Sequence, residues 1–278
     1  MPSDKRQRQD EGRLLRLEAQ RSTQQHDQRK RQFRTLAMIV GGVLVMAGGF
    51  AIFNSDPATD VSTGSSTTTT TPAGDTVVLP QPGKTITGDT PCPAADGSAE
   101  RATTFAQAPP MCIDPAKTYT ATLVTSAGDI EIQLDATNAP QTVNNFVVLS
   151  RYHFYDDVPF HRIVPGFVNQ AGDPIGPTPG NGGPGYTIPD ELPKDPATAY
   201  PAGTVAMANR SPEPNSGGSQ FFLVIGDEGG ALSGAGSYSV FGKIVKGQDV
   251  SEAINKLAGP EDKPIKPVTI ESVTITEA

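Results

Sequence analysis

One stretch decides how the rest of this chain is interpreted: Phe160-His161-Arg162-Ile163-Val164-Pro165-Gly166-Phe167-Val168-Asn169-Gln170-Ala171-Gly172-Asp173. It places a single arginine among apolar residues and follows it with a Pro-Gly turn, a Phe-Val pair and a glutamine. A guanidinium that is withdrawn from water needs partners for its five N–H donors. Arg162 is therefore either a structural residue paired with a carboxylate or a functional group held in a site, and the wider sequence has to decide between the two.

Charge is distributed unevenly along the 278 residues, whose formal net charge is −8. Residues 1–34 contain ten Lys/Arg and five Asp/Glu, whereas the residues after Phe53 contain twelve Lys/Arg and twenty-five Asp/Glu. Contacts with nucleic-acid phosphates need clustered Lys and Arg, so the acidic part of the chain is not expected to bind nucleic acid. The basic residues at the N-terminus are interpreted as a topology signal for the segment that follows them.

That segment, residues 35–53, is a run of nineteen uncharged and mostly apolar residues, TLAMIVGGVLVMAGGFAIF. A helix of this length spans about 28 Å, close to the thickness of the hydrocarbon core of a bilayer. Basic residues precede the run, and Asp56 and Asp60 follow it. The positive-inside rule therefore predicts a single-pass signal anchor in the cell membrane, with residues 1–34 as a cytoplasmic tail and the rest of the chain outside. A cleaved signal peptide is the alternative, although its apolar core is usually shorter.

Ser, Thr, Pro and Gly are frequent in residues 54–116, and this composition predicts a disordered linker because it offers little apolar surface for a core. The linker contains both cysteines, Cys92 and Cys112. Outside the cell the favoured interpretation is a disulfide between them, and two independent thiols are the alternative. No histidine has metal-ligand spacing to either cysteine, so no metal site is expected.

Residues 117–278 form the predicted folded domain, because short apolar runs here alternate with Gly- and Pro-rich loops. The first two runs, 119–124 and 128–135, predict a hairpin. In the second run every other residue is apolar, which is typical of a strand with one buried face. The other predicted strands are 160–164, 204–208, 220–225, 239–245 and 268–275.

Two helices are predicted in the same domain. Residues 138–151 have Pro140 in the position of a first turn and apolar residues along one face. Residues 250–258 place Val250, Ile254 and Leu257 at helical spacing. Many short strands with two helices predict a mainly β domain, and the pattern fits an antiparallel sandwich as well as a barrel.

Ordinary catalytic motifs do not account for this domain. Gly217-Gly218-Ser219-Gln220-Phe221 begins like a nucleophile elbow but lacks the closing glycine. The glycine-rich loop 180–185 is not followed by Gly-Lys-Ser/Thr, so it is not a phosphate cradle. His161 is interpreted as a structural histidine rather than a general base, because it lies in an apolar strand. Neither a covalent mechanism nor a cofactor is expected.

The stretch around Arg162 resembles the signature of the cyclophilins, the peptidyl-prolyl cis/trans isomerases, which reads roughly Phe-His-Arg-x-x-x-Gly-Phe-x-x-Gln-x-Gly-Asp. All eight fixed positions match. Further fragments follow in the order of the family: Gly180–Gly183, Met207–Asn209, Gly218–Phe222 and Val240–Lys243. The resemblance covers residue 117 to the C-terminus. It implies a closed eight-stranded antiparallel barrel with two helices that cover its ends.

The resemblance also implies a role for individual residues. Arg162 would be the catalytic arginine, and Gln170 and Asn209 would assist it by holding the peptide backbone. The residues that would bind the substrate and its proline are Phe167, Val168, Ala208, Gln220, Phe222, Leu232 and Tyr238. The sequence departs from the frequent family residues at Val168, Arg210, Ala231 and Tyr238, which concerns the rim of the pocket rather than Arg162.

The expected function is therefore cis/trans isomerisation of X-Pro bonds in unfolded or exported proteins, by a monomer that binds proline-containing peptide segments outside the membrane. The guanidinium of Arg162 would stabilise the twisted amide. The alternative is a module on the same barrel that binds proline peptides, or acts as a scaffold, without catalysis. A proline-isomerisation assay discriminates between the two.

Overall fold

The computed structural model describes residues 80–174, 180–195, 198–210, 213–226, 232 and 238–278, together with the backbone of 69–70 and 76–77. The predicted cytoplasmic tail, 1–34, and the predicted membrane span, 35–53, lie outside these residues. Across the described part of the chain, none of the helices combines the length and the apolar character that a membrane crossing requires.

Strands dominate the described residues, and one nine-stranded antiparallel sheet contains most of them. The strands are β1 (Thr69–Thr70), β2 (Thr76–Val77), β3 (Lys84–Ile86), β4 (Ala102–Phe105), β5 (Tyr119–Thr125), β6 (Gly128–Leu134), β7 (Val158–Pro159), β8 (Arg162–Val164), β9 (Val168–Ala171), β10 (Thr204–Met207), β11 (Phe221–Val224), β12 (Val240–Lys246) and β13 (Thr269–Glu277). The large sheet has the order β7-β13-β5-β6-β12-β10-β11-β9-β8. β1 and β2 form an antiparallel pair, and β3 and β4 form a parallel pair.

One segment carries both edges of the large sheet. β7 and β8 lie at opposite edges, yet only Phe160 and His161 separate them in the chain. The Phe160 amide donates to the Val268 carbonyl at 2.9 Å, and the His161 amide donates to the Gln170 carbonyl at 3.1 Å. The sheet therefore curls round until both edges reach this segment. The sheet has nine strands, whereas the resemblance implied a closed barrel of eight. The additional strand arises because the segment 158–164 changes its hydrogen-bonding partner at Phe160–His161 and is divided there into β7 and β8.

The core lies inside the curled sheet. The predicted hairpin is present as β5 and β6, and its pairing sets Leu123 opposite Ile130 and Ala121 opposite Ile132. All four side chains are fully buried. They are the alternating positions of the two strands, so the period-two pattern of the sequence does mark the buried face. The centre of the core is filled by aromatic rings whose centroids are 5.1 to 6.4 Å apart: Phe146, Tyr155, Phe221 and Phe241.

Both predicted helices are present, as α1 (Pro140–Arg151) and α2 (Gln248–Asn255). α1 begins at Pro140, a position where the missing N–H of proline is not needed. The amides of the next two residues, Gln141 and Thr142, donate to the carboxylate of Glu191 at 3.0 and 2.8 Å. A negative charge at this end also complements the helix dipole. A loop fifty residues away in sequence therefore caps α1.

Residues 80–116 belong to the folded domain, in contrast to the disordered linker predicted for 54–116. Ala102 and Phe105 of β4 are each 1% exposed and are part of the same apolar core as the strands of the large sheet. The Ala102 amide donates to the Tyr152 carbonyl at 3.0 Å, and the Phe105 amide donates to the Pro184 carbonyl at 2.8 Å. The high content of Ser, Thr, Pro and Gly wrongly predicted disorder for this segment, because a few apolar side chains without a periodic pattern are enough to attach it to the core.

Cys92 and Cys112 are joined as a disulfide in the structure, with a separation of 20 residues. The loop that it closes contains β4. At the end of this loop the Cys112 amide donates to Oδ1 of Asn144 in α1 at 2.7 Å. The next residue, Ile113, is buried in the core. The disulfide therefore closes a segment that packs against α1 rather than a free loop.

Candidate active site

Neighbouring strands bring Arg162, Gln170 and Phe222 into one row across the sheet. The β8–β9 pairing sets Arg162 opposite Gln170, and the β9–β11 pairing sets Gln170 opposite Phe222. The β10–β11 pairing adds Ala206 to the row. Residues that are directly opposite in adjacent strands have their side chains on the same face of a sheet. The arginine, the glutamine and the phenylalanine of the predicted site are therefore side by side, although Phe222 is distant from the other two in the chain.

The face that carries this row also carries an apolar cluster that is separate from the core. In β11, Phe221 and Leu223 belong to the core, whereas Phe222 and Val224 belong to the second cluster. β11 is buried on both faces for this reason. The buried members of the cluster are Val168, Tyr200, Ala206, Phe222, Val224 and Leu232. Partly buried side chains that pack against it include Phe167, Ala208 and Tyr238.

Every apolar residue that the resemblance assigned to the proline pocket therefore lies in this cluster or against it. The rings of Phe222 and Tyr238 meet edge to face, with centroids 5.2 Å apart and an interplanar angle of 89°. The Tyr200 hydroxyl donates to the Tyr238 carbonyl at 2.9 Å and so attaches Tyr238 to the cluster. Tyr200 was not identified from the sequence. Apolar residues of this kind commonly belong to the core of the domain. Here they form a cluster that is separate from the core.

A cavity of about 640 Å³ adjoins the cluster and lies between the glycine-rich loop and residues 208–210. Gln170, Ala208, Asn209 and Gln220 line it. One wall of the cavity is the loop around Gly180, and the Asp173 carboxylate stabilises this loop. Its Oδ2 atom accepts hydrogen bonds from the amides of Gly180 and Gly182 at 2.6 and 2.8 Å. The predicted backbone-holding residues therefore line a groove next to the apolar cluster.

Hydrogen bonds connect Arg162 to this loop. Nη1 of Arg162 donates to Oε1 of Gln170 at 3.5 Å, and Nε2 of Gln170 donates to Oε1 of Gln220 at 3.0 Å. Nε2 of Gln220 donates in turn to the carbonyls of Gly180 and Gly182, both at 2.9 Å. Gln220 was predicted to bind substrate. In the structure Gln220 lines the cavity, and its side chain also hydrogen-bonds Gln170 and the loop, so it shapes the groove.

Arg162 is the positively charged residue in the row of site residues. Its side chain is 42% exposed, and Nη2 donates to Oδ2 of Asp262 at 3.1 Å. Burial lowers the pKa of the neighbouring His161, Asp173 acts in the opposite direction, and the charge of Arg162 lowers the pKa further. A neutral His161 is expected at neutral pH. The arginine thus combines both interpretations given to it from the sequence, since it is paired with a carboxylate and also stands in the row of site residues.

The arrangement suits a substrate with an apolar ring next to a group that accepts a hydrogen bond. The apolar cluster offers a dry surface for the ring, and Arg162 offers a charged donor at its border. Gln170 and Asn209 offer polar groups along the groove. Asp262 and Tyr200 complete the surroundings, and neither residue lies in a motif that would have marked it in the sequence.

Comparison with known proteins identifies the class. The family model of the cyclophilin type peptidyl-prolyl cis-trans isomerases matches residues 120–275, more than half of the chain. Peptidyl-prolyl cis-trans isomerase A of Mycobacterium tuberculosis is 41% identical over 180 residues, covering 58% of this chain and 94% of that protein. Peptidyl-prolyl cis-trans isomerase B of Streptomyces anulatus is 37% identical over 175 residues, covering 56% and 95% of the two chains.

A solved structure agrees with these relatives. The crystal structure of a Cryptosporidium parvum cyclophilin type peptidyl-prolyl cis-trans isomerase, determined in the presence of the dipeptide Ala-Pro, is similar with a TM-score of 0.51 and 29% identity. The similarity covers 56% of this chain and 98% of that one. The chain therefore belongs to the cyclophilin family, and its enzyme class is peptidyl-prolyl cis-trans isomerase. Residues 80–116, which pack on the core, precede the part that the family model matches.

Proposed function

We propose that this chain catalyses rotation about X-Pro bonds in exported proteins by donating a hydrogen bond from Arg162 to the prolyl nitrogen, without a covalent intermediate. The observation that carries the proposal is the position of Arg162. It stands beside Gln170 at the border of an apolar cluster that is distinct from the core, and its side chain is exposed enough to meet a peptide.

The chemistry follows from the electronic structure of the amide. Resonance gives the peptide bond a rotational barrier of about 18–20 kcal/mol, and X-Pro isomerisation takes tens to hundreds of seconds unaided. Resonance is lost in the twisted transition state, so the prolyl nitrogen becomes a better hydrogen-bond acceptor. A guanidinium that donates to this nitrogen stabilises the twisted amide more than either planar isomer, which is the condition for catalysis.

The rest of the site would hold the substrate so that rotation occurs against the arginine. The proline ring would bind the cluster of Phe167, Phe222 and Leu232, where its apolar surface is removed from water. Gln170 and Asn209 would hold the flanking backbone along the groove. A charged hydrogen bond contributes roughly 1.5–3 kcal/mol, equivalent to about ten- to a hundredfold in rate. The remaining acceleration would come from this positioning.

The proposed location is outside the membrane, with residues 35–53 as the anchor and residues 1–34 in the cytoplasm. Two features support it: the basic residues before the apolar run and the disulfide between Cys92 and Cys112. Disulfides persist in oxidising compartments. The proposed substrates are accordingly proline-containing segments of exported proteins that are still unfolded. A monomer suffices, because the proposed site residues all come from one chain.

The substitution Arg162→Ala tests the mechanism. We expect kcat/KM for a proline peptide to fall by about ten- to a thousandfold while the melting temperature stays unchanged, because the side chain is half exposed and outside the core. Arg162→Lys should recover little, since an ammonium lacks the planar fork of the guanidinium. Lys246→Ala, which removes an exposed cation, is the control and should leave kcat/KM unchanged.

Full activity of Arg162→Ala would contradict the mechanism. Tight binding of proline peptides by the unmodified chain without any isomerase activity would instead support the non-catalytic binding module. NMR exchange spectroscopy on a proline peptide measures both quantities, because it follows the cis and trans signals at equilibrium and reports binding as well as turnover.

A further inference from the structure

A carboxylate outside the family signature contacts the proposed catalytic arginine. Asp262 lies in the short 3-10 turn Pro260–Asp262, one hundred residues beyond Arg162. Its Oδ2 atom accepts a hydrogen bond from Nη2 of Arg162 at 3.1 Å. The two side chains are 42% and 43% exposed, so the pair stands at the open border of the site and not in the core.

The backbone of the turn fixes the position of this carboxylate. The Gly259 amide donates to the Lys263 carbonyl at 2.8 Å, and the Ile265 amide donates to the Leu257 carbonyl at 2.8 Å. Glu261 and Asp262 both have left-handed φ angles, +58° and +60°. This conformation is unfavourable for residues other than glycine and persists where the surrounding structure imposes it. The turn therefore presents Asp262 to Arg162 in a defined direction.

The adjacent carboxylate has a different partner. Oε2 of Glu261 lies 3.1 Å from Nζ of Lys263, and these two side chains are 79% and 72% exposed. Glu261 therefore pairs within the turn, while Asp262 pairs across to β8. Two acidic neighbours with different partners give a matched comparison, because a change at either one removes the same charge from the same turn.

Asp262 and Gln170 contact the two terminal nitrogens of the same guanidinium. Nη1 of Arg162 faces Oε1 of Gln170 at 3.5 Å, and Nη2 faces Oδ2 of Asp262 at 3.1 Å. Two contacts on different nitrogens of a planar group determine the orientation of its plane. The other N–H groups of Arg162 have no partner among the side chains and backbone that the structure describes, so they remain available to a substrate.

We propose that Asp262 is a positioning residue, which fixes the plane of the Arg162 guanidinium in the orientation that donates to the prolyl nitrogen. The inference rests on the catalytic role proposed for Arg162. An exposed ion pair contributes little to folding stability, so the effect of Asp262 should be on turnover and not on the fold. The contribution of such a pair corresponds to a change in rate of about two- to fivefold.

The test compares kcat and KM of full-length variants on an uncharged proline peptide by NMR exchange. Asp262→Asn should lower kcat about two- to fivefold, with KM and the melting temperature unchanged. Asp262→Glu should recover part of the loss, and Glu261→Gln should have no effect. Salt at about 1 M, where the Debye length is about 3 Å, should lower kcat of the unmodified enzyme and leave that of Asp262→Asn nearly constant.

The same substitution in the Arg162→Ala background completes the cycle and should change nothing further. An equal loss in that background would overturn the inference, because Asp262 would then act without the arginine. Unchanged or faster turnover of Asp262→Asn would overturn it as well, and faster turnover would show that the carboxylate competes with substrate. Full activity of Arg162→Ala would instead refute the proposed mechanism, so the two failures are distinguishable.

Discussion

The substitution Phe105→Ala removes the only aromatic side chain of residues 80–116, a segment that precedes the part of the chain matched by the family. The Phe105 ring is 1% exposed, and its centroid lies 5.5 Å from that of Tyr152, 6.5 Å from that of Phe154 and 6.2 Å from that of Tyr186. Truncation of a buried phenylalanine to alanine costs about 3–5 kcal/mol, and the cost is greatest where the surroundings cannot collapse. Three large rings that are held by the core leave little room for relaxation, so we expect a loss of about 4–5 kcal/mol.

Equilibrium unfolding in guanidinium chloride, followed by far-UV circular dichroism, measures this loss. Met111→Ala is the control, because Met111 belongs to the same segment and is 49% exposed. It should change the free energy of unfolding by less than about 0.5 kcal/mol. A loss below about 1 kcal/mol for Phe105→Ala would show that this ring does not attach residues 80–116 to the core. The segment would then detach readily from the core, and residues 80–116 would behave as the linker that the sequence predicted.

Two further predictions concern the compartment and the disulfide. Protease added outside intact cells should remove the isomerase domain and spare residues 1–34, as seen with antibodies against each end, and protection of the domain or its release as a shorter soluble form would contradict the anchor. Replacing both Cys92 and Cys112 by serine should lower the free energy of unfolding by about 3 kcal/mol, because the loop contains about twenty residues. The kcat/KM of the folded variant should remain unchanged, since Cys112 packs against the core and is not among the residues that pack against the apolar cluster of the site. A large loss of activity without a loss of stability would contradict this.

The sequence predicted the parts of the fold in which a local pattern coincides with burial. Alternation in β6 and the first-turn proline of α1 are local signals, and both elements are present. The strand β9 was not predicted, because its four residues lie inside the signature stretch and alternate too briefly to show a period. Residues 80–116, the part of the predicted linker that the structure describes in full, were wrongly predicted for a related reason. Ala102, Phe105 and Ile113 attach the segment to the core, and three such positions form no regular period in the sequence.

For the site, too, the sequence predicted only the residues that lie in a recognisable motif. The family resemblance named Arg162, Gln170 and Phe222, and the pairing of β8, β9 and β11 explains why these three residues are neighbours. Asp262 could not be predicted from the sequence. Its contact with Arg162 depends on a turn whose left-handed residues are glutamate and aspartate, where a sequence pattern would favour glycine or asparagine.

The division of the edge segment at Phe160–His161 links the fold to the proposed chemistry. Phe160 is fully buried and bonds toward β13, whereas His161 bonds toward β9, so the chain changes partner just before Arg162. β8 is only three residues long and lies at the edge of the sheet. An arginine on a central strand would have neighbours on both sides. On this edge strand, the guanidinium contacts Gln170 on one side. Its other side faces the turn that carries Asp262 and remains accessible to a substrate. A buried phenylalanine two residues earlier keeps that edge attached to the core, so the site gains an exposed cation on a rigid support.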